Sequence, residues 1–143
     1  MRRIEYIVKG CDPKTLTVRQ LMEDAVVTCS PHATGEAVAL MLCDRNFGSL
    51  PVVDEDRTLL GLVSEFDLLK AMAVQKDLKK VTAKEIMSCD VVTVTADMSV
   101  TDLIDLLRKC HLIRVPVIEG ERLVGIVARR DILFGYIKAH SFS

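Results

Sequence analysis

The chain has 143 residues, half of them hydrophobic but only 4% aromatic, and a net charge of −1. That is enough for one compact domain, or two small ones packed together, around an aliphatic core. The near-neutral balance excludes nonspecific nucleic-acid binding, which needs a basic surface, and no apolar run reaches the ~18 residues of a membrane span.

Residues 1–16 show no clear period and read as an N-terminal arm. A short strand is expected at Tyr6-Ile7-Val8 and a turn at Cys11-Asp12-Pro13-Lys14. Met1-Arg2-Arg3-Ile4-Glu5 has no apolar segment behind its basic start, so it does not read as a signal peptide. From Thr17, Val18, Leu21 and Met22 fall at i, i+3 and i+4, which predicts a short amphipathic helix. Val26-Val27-Thr28 reads as a short strand and Ser30-Pro31-His32 as a turn. A helix is predicted over 35–45, with Val38, Met41 and Leu42 on one face. A strand follows at Ser49 to Val53, a hairpin turn at Asp54-Glu55-Asp56-Arg57, a return strand at Thr58 to Val63 and a helix over 65–73. Residues 74–81 are charged, carry no strong pattern and read as a solvated linker.

The same order then returns. Ile86-Met87 matches Leu21-Met22, and Val91-Val92-Thr93 matches Val26-Val27-Thr28. Ser99-Val100-Thr101-Asp102 reads as a capping box, opening a helix with Val100, Leu103, Ile104 and Leu107 on its apolar face. Val115-Pro116-Val117 matches Leu50-Pro51-Val52, and a last helix runs to about Lys138 before a frayed tail at 139–143. The clearest copy is Gly61-Leu62-Val63-Ser64-Glu65-Phe66-Asp67 against Gly125-Ile126-Val127-Ala128-Arg129-Arg130-Asp131. Each reads as a buried strand leaving a tight turn and running into a helix N-terminus, where free N–H groups suit a phosphate. The chain therefore divides into repeats at 17–73 and 82–138. Each has the order helix–strand–helix–strand–strand–helix and is too small to bury much surface alone. This predicts an α/β fold with the two repeats packed about a pseudo-twofold axis, unlike a strict βαβ sheet.

The element order, the Leu-Met and Ile-Met openings, the strands with Pro51 and Pro116, and the closing glycine-to-aspartate motifs together resemble the CBS domain family, whose usual tandem form is the Bateman module. The resemblance implies two clefts between sheet-packed repeats that bind adenosine-containing ligands. AMP, ADP or ATP is expected, with NAD and S-adenosylmethionine as further candidates. It also implies a regulatory role with no catalysis, and a homodimer formed through the helical faces. The faces expected to pair carry Leu68, Leu69 and Met72 on one closing helix and Ile132, Leu133 and Tyr136 on the other.

By the family's geometry the main cleft gathers Leu62, Ser64, Asp67, Val91, Val92, Arg114 and Arg130. Asp67 would accept hydrogen bonds from the ribose diol, Ser64 would donate to phosphate, and in adenylate-sensing members a basic residue at the place of Arg114 touches phosphate. The second, weaker cleft takes Val26, Val27, Ile126 and Asp131, but Ala128 offers it no hydroxyl and Ser49 no charge. A plainer reading stays open for Ser64 and Asp67, as a capping box alone. Arg129 and Arg130 are either solvated or face an anion, since cations are disfavoured in a helix's first turn. The valine pairs suit the core in either case.

Cys11, Cys29, Cys43, Cys89 and Cys110 are odd in number and irregularly spaced, which predicts reduced thiols in a cytoplasm. Cys29 and His32, or Cys110 and His111, invite a metal reading. They lie on different elements, Cys110 falls on a buried face, and no four ligands converge, so no metal is expected. No nucleophile stands beside a base in a recognisable arrangement, so no catalytic residue is assigned. The function expected is a regulatory module sensing an adenosine nucleotide on behalf of an unidentified effector protein. The alternative is an interaction or dimerisation module without a physiological nucleotide.

Overall fold

The computed structural model describes residues 15–140, and for Ala139 and His140 only the backbone. The arm, strand and turn expected before Thr15, and the tail after His140, lie outside the described residues. The elements in chain order are α1 (Val18–Leu21), α2 (Gly35–Arg45), β1 (Ser49–Val53), β2 (Leu59–Ser64), α3 (Glu65–Ala73), α4 (Ala83–Ile86), β3 (Val94–Thr95), α5 (Val100–Cys110), β4 (Arg114–Glu119), β5 (Arg122–Ala128) and α6 (Arg129–His140). They form two compact units, one of residues 27–91 and one whose described parts are 15–26 and 92–140.

In the 27–91 unit, Thr34 caps α2 by accepting from the Ala37 N–H at 3.1 Å. Asn46 ends the helix in the left-handed region at φ 55°. Gly35, Val38 and Leu42 face inward, at the i, i+3, i+7 spacing of one helical stripe. β1 and β2 pair antiparallel, Leu50 opposite Val63 and Val52 opposite Gly61. Asp54 ties their turn by accepting from the Asp56 and Thr58 N–H groups, both at 2.9 Å, and Arg57 takes the left-handed φ of 65°. The core joins Val38, Leu42, Leu50, Val52, Val63 and Leu68, with Ala83 of α4 fully buried among them.

The other unit repeats this plan. β3 runs parallel to β4, and β4 antiparallel to β5. Its core joins Leu103, Leu107, Val115, Val117 and Val127 with Val18 and Leu21 of α1. Leu16, the last residue of the expected arm, is also buried there.

Each unit thus contains the opening helix of the other sequence repeat. α1 is bound to the second repeat's strands and helices, with the Val18 N–H donating to the Met98 carbonyl and the Arg19 N–H to Ala96. α4 is bound to the first repeat in the matching way, the Ala83 N–H donating to Ala33 and the Lys84 N–H to Pro31. Repeats defined by sequence order and units defined by packing are therefore not coextensive. Four-residue helices have no stability of their own, so each is held by the core it enters.

Four local expectations are corrected. No strand forms at Val26-Val27-Thr28; the pairing falls at Cys29, which bridges Val52 on the free edge of β1. The second copy likewise pairs at Val94 and Thr95 and not at Val91-Val92-Thr93. β-branched composition marks an extended segment, while the neighbouring edge decides which residues pair. The expected capping box at Ser99 is described in one direction, the Asp102 N–H donating to Ser99 Oγ at 3.1 Å. The patternless linker is structural at its end. The carbonyls of Leu78 and Val81 accept from the Glu36 and Gly35 N–H groups, satisfying donors at the start of α2, while Lys76, Lys79 and Lys80 stay exposed.

Candidate functional site

Ser64 ends β2 and Asp67 lies in the first turn of α3, so backbone geometry alone sets them side by side. Asp67 Oδ2 accepts from the Ser64 N–H at 2.8 Å and from the Ser64 hydroxyl at 2.9 Å. The Asp67 N–H returns a bond to Ser64 Oγ at 3.1 Å. This is a closed capping box, so the Ser64 hydroxyl proton is committed to Asp67. Another first-turn donor, the Glu65 N–H, is taken by the Gly48 carbonyl at 3.0 Å. The junction therefore offers fewer free N–H groups than the sequence suggests. Asp67 is half-buried, and no described hydrogen bond uses its Oδ1.

The motif glycines do not serve the turns. Gly61 lies inside β2 and Gly125 inside β5, and the left-handed glycine is Gly120, in the second hairpin turn, at φ 63°. A Cβ on Gly61 would sit 2.6 Å from the Ser88 carbonyl oxygen and 2.9 Å from Met87 Sδ. One on Gly125 would meet Met22 Sδ at 2.6 Å and the Glu23 carbonyl at 3.1 Å. Each glycine thus admits the methionine at the end of the other repeat's opening helix. The Leu62 and Ser88 backbones exchange two hydrogen bonds beside it, at 3.0 and 2.8 Å, and Ile126 and Glu23 do the same at 2.9 and 2.8 Å. The backbone groups of Leu62 and Ile126, both expected at the ligand, are spent on this contact.

In the second unit Ala128 stands where the first has Ser64. The Ala128 N–H donates to Asp131 Oδ2 at 2.8 Å, and Asp131 is buried. The backbone half of the box survives without a hydroxyl, so Asp131 has a structural role at its own helix start. Arg129 and Arg130 are exposed in the first turn of α6. Arg114 opens β4 directly opposite Ala128, as Ser49 opens β1 opposite Ser64. Arg114 is half-buried, and the lost water pulls its guanidinium pKa down.

The valine pairs lie at the margin of the core and not inside it: Val27 packs half-buried against the core of its unit, Val26 and Val91 are half-buried, and Val92 is 41% exposed. Leu62, Ser64, Asp67, Val27 and Val91 belong to one unit; Val26, Val92, Arg114, Ile126, Arg130 and Asp131 belong to the other.

The model of the CBS domain matches residues 18–74 and 83–138. The chain belongs to the CBS domain family. Hypoxic response protein 1 of Mycobacterium tuberculosis is 32% identical over 117 residues, covering 81% of this chain and 82% of that protein. An uncharacterized protein of Methanopyrus kandleri is 31% identical over 122 residues, which cover 84% of this chain and 62% of that protein's length. The crystal structure of the CBS domain pair of protein MJ0100, in complex with 5′-methylthioadenosine and S-adenosyl-L-methionine, matches with a TM-score of 0.70 at 30% identity, covering 83% of this chain and 98% of that one.

In both CBS repeats the closing motif thus does two jobs, a glycine that admits the exchanged helix and an aspartate that caps the next one. Sequence reasoning found the aspartates and missed the exchange. Its signal was present, because the methionine and the glycine recur together in both copies. No helix among the described residues is long and apolar enough to cross a membrane, and none of their His, Cys, Asp and Glu residues form a group of three or more suited to a metal ion.

The cysteines of the CBS pair differ in environment. Cys29 is buried, and desolvation pushes its thiol pKa up to about 11. Cys43, Cys89 and Cys110 are exposed. Cys110 was expected on the buried face of α5, but it is the last residue before His111 turns left-handed at φ 54°, so no further turn packs over it. Iodoacetamide at pH 8 is expected to alkylate Cys43, Cys89 and Cys110 in the native protein and Cys29 only after denaturation, because the thiolate is the nucleophile. Peptide mass spectrometry reads this, and native labelling of Cys29 at the rate of Cys43 would contradict its burial.

Proposed function

We propose that the chain is a regulatory module that binds an adenosine-containing ligand and acts on an effector protein, without catalysis of its own. The observation that carries this reading is Asp67, a half-buried carboxylate held by its box through Oδ2, with no described hydrogen bond on Oδ1. A carboxylate so fixed is ready to accept from a ribose diol. The adenosine compounds bound by the 30% identical domain pair of MJ0100 support the same ligand class.

The residues proposed to act on one ligand are Leu62, Ser64, Asp67, Val91, Val92, Arg114 and Arg130. A weaker second set is Val26, Val27, Ile126 and Asp131. The half-buried cation of Arg114 favours a ligand with an anionic group, a phosphate or the carboxylate of S-adenosylmethionine. Ser64 donates to such a group only by giving up its bond to Asp67. Leu62 and Ile126 contribute side chains alone.

A thermal-shift panel of adenosine, AMP, ADP, ATP, NAD and S-adenosylmethionine tests the reading. A ligand at 100 times its Kd stabilises the native state by ~2.7 kcal/mol, a shift of roughly 5–10 °C for a chain of this size. No shift with any of the six would reduce the box to a cap.

A second reading is favoured by the closing helices. Phe66, Leu69 and Met72 of α3 and Leu133, Tyr136 and Ile137 of α6 are each more than half exposed. We propose that the chain also forms a homodimer through these helices. The faces differ from those expected, since Leu68 is buried and Ile132 half-buried, while Phe66 and Ile137 join the surface.

A further inference from the structure

α5 and α6 enclose an open groove of about 970 Å³, within the ~300–1,000 Å³ of ligand-binding pockets. Its floor is aliphatic, with Ile104, Leu107 and Leu112 on one side and Ile132 and Leu133 on the other. Leu107 belongs to the core, and Leu112 and Ile132 pack half-buried against it, so the floor is fixed. Ile104 was expected on the buried stripe of α5 but is 38% exposed here, because only Val100, Leu103 and Leu107 reach the core. With the exposed Leu133, it leaves apolar surface open along the groove.

The groove is cationic at one end. Arg108 and Lys109 lie in the last turn of α5, and Arg129 opens α6. The Arg129 N–H donates to the Ile113 carbonyl at 2.9 Å. This ties the start of α6 to the segment after α5 and gathers the three cations at the same end. All three are exposed, and among the described residues none of them forms an ion pair. Asp105, the one carboxylate lining the groove, therefore leaves Lys109 unpaired although it stands a helical turn before it. Cations suit the last turn of α5, but Arg129 stands in a first turn, where a cation is disfavoured. An anion seated at this end would offset that. In the first repeat Cys43, Asp44 and Glu65 hold the matching places, so the cationic end belongs to the second repeat alone.

We propose that this groove binds a medium-chain fatty acid, with the carboxylate at Arg108, Lys109 and Arg129 and the alkyl chain along Ile104, Ile132 and Leu133. Charge at one end and aliphatic surface along the rest match an amphiphile with a single anionic head. An acidic helix laid in the groove would contact it along its length, and the far end offers its charges only Asp105. That carboxylate instead keeps an anionic head away from the far end. From Ile104 to His111 the helix rises ~10 Å, a length that suits octanoate or decanoate. The site shares no residue with the sets proposed above for an adenosine ligand, and only Leu133 with the faces proposed for the homodimer. It therefore adds a second ligand class to the module and does not rest on the first.

Titration of the nitrogen-15-labelled full chain with decanoate, below its micelle concentration, tests the proposal. Amide shifts are expected around Ile104, Arg108, Leu112, Arg129 and Leu133, with α2 and α3 spared as an internal control. Affinity is expected to rise roughly two- to fourfold per methylene from hexanoate to decanoate, as burial of alkyl surface requires. 1-Decanol keeps the chain and loses the charge, and is expected to bind roughly tenfold more weakly than decanoate. R108A/R129A is expected to bring decanoate down to the affinity of decanol. Ile104→Glu, at an exposed position, is expected to weaken decanoate as well with the cations intact. Absent shifts, shifts of equal size in α2 and α3, an affinity indifferent to chain length, or decanol bound as tightly as decanoate each overturn the proposal. So does binding to vesicles of anionic phospholipid without binding of monomeric decanoate, which would make the groove a membrane-facing surface.

Discussion

Asp67→Ala is expected to weaken binding of the adenosine ligand by roughly 10–150-fold, because hydrogen bonds to a charged group are worth ~1.5–3 kcal/mol. The same change opens the capping box, since Asp67 Oδ2 holds both the N–H and the hydroxyl of Ser64. Loss of a cap costs about 1 kcal/mol of stability, so affinity must be read by calorimetry on protein shown to be folded. Asp67→Asn separates the two roles. It keeps an acceptor for the Ser64 N–H and loses the charge, so stability should be largely retained while affinity still falls. Arg114→Ala should weaken ATP and ADP more than adenosine, because it acts on an anionic group. Asp131→Ala should affect binding less, since Asp131 is buried against the Ala128 N–H, but it should cost stability. A double-mutant cycle of Asp67→Ala and Arg114→Ala tests whether both residues act on one ligand. If Asp131→Ala abolishes binding while Asp67→Ala leaves it intact, the main set of residues has been assigned to the wrong repeat.

Gly61→Ala is expected to destabilise the protein by about 2–4 kcal/mol, from overpacking and the weakened bonds between Leu62 and Ser88. The new methyl would lie 2.6 Å from a backbone carbonyl oxygen, which moves only if α4 moves with it. Gly125→Ala should cost less, roughly 1–2 kcal/mol, since its shortest contact, at 2.6 Å, is to the Met22 side chain and not to backbone, although Met22 is buried and the Glu23 carbonyl, at 3.1 Å, must also give way slightly. Both changes also stiffen the unfolded chain, which offsets part of the cost by ~0.4–1 kcal/mol. Urea denaturation reads the order directly from the midpoints, provided the slopes match wild type. Equal losses would mean that the two exchanged helices are not held as their backbone contacts indicate.

The outcome for Gly61 bears on ligand binding as well. The strand with Gly61 and Leu62 runs straight into Ser64 and Asp67. Whatever loosens α4 on this strand therefore changes the platform that holds the carboxylate. A ligand on Asp67 is expected to recover part of the stability lost in Gly61→Ala by mass action.

Local chemistry made much of this molecule legible from sequence alone. The bounds expected for α2, β1 and α3 match the structure residue for residue, because their ends are fixed by local contacts: Thr34 and Ser64 cap the helices, Asn46 stops α2 in the left-handed region, and Asp54 ties the turn after β1. The duplicated order of elements, and with it the CBS family, was readable for the same reason, since each motif is short and occurs twice. Tertiary structure alone decided the rest. The methionine and the glycine recur together in both copies, but that recurrence does not say that Met87 will lie on Gly61 and Met22 on Gly125, each across repeats, because the contact joins distant parts of the chain. Pairing at Cys29 and Val94 depended on where the edges of β1 and β4 stood. Helical period placed Leu68, Ile104 and Cys110 on a stripe, but packing turned the first inward and left the other two at the surface. A period fixes direction around a helix; how wide a stripe is covered depends on what packs against it.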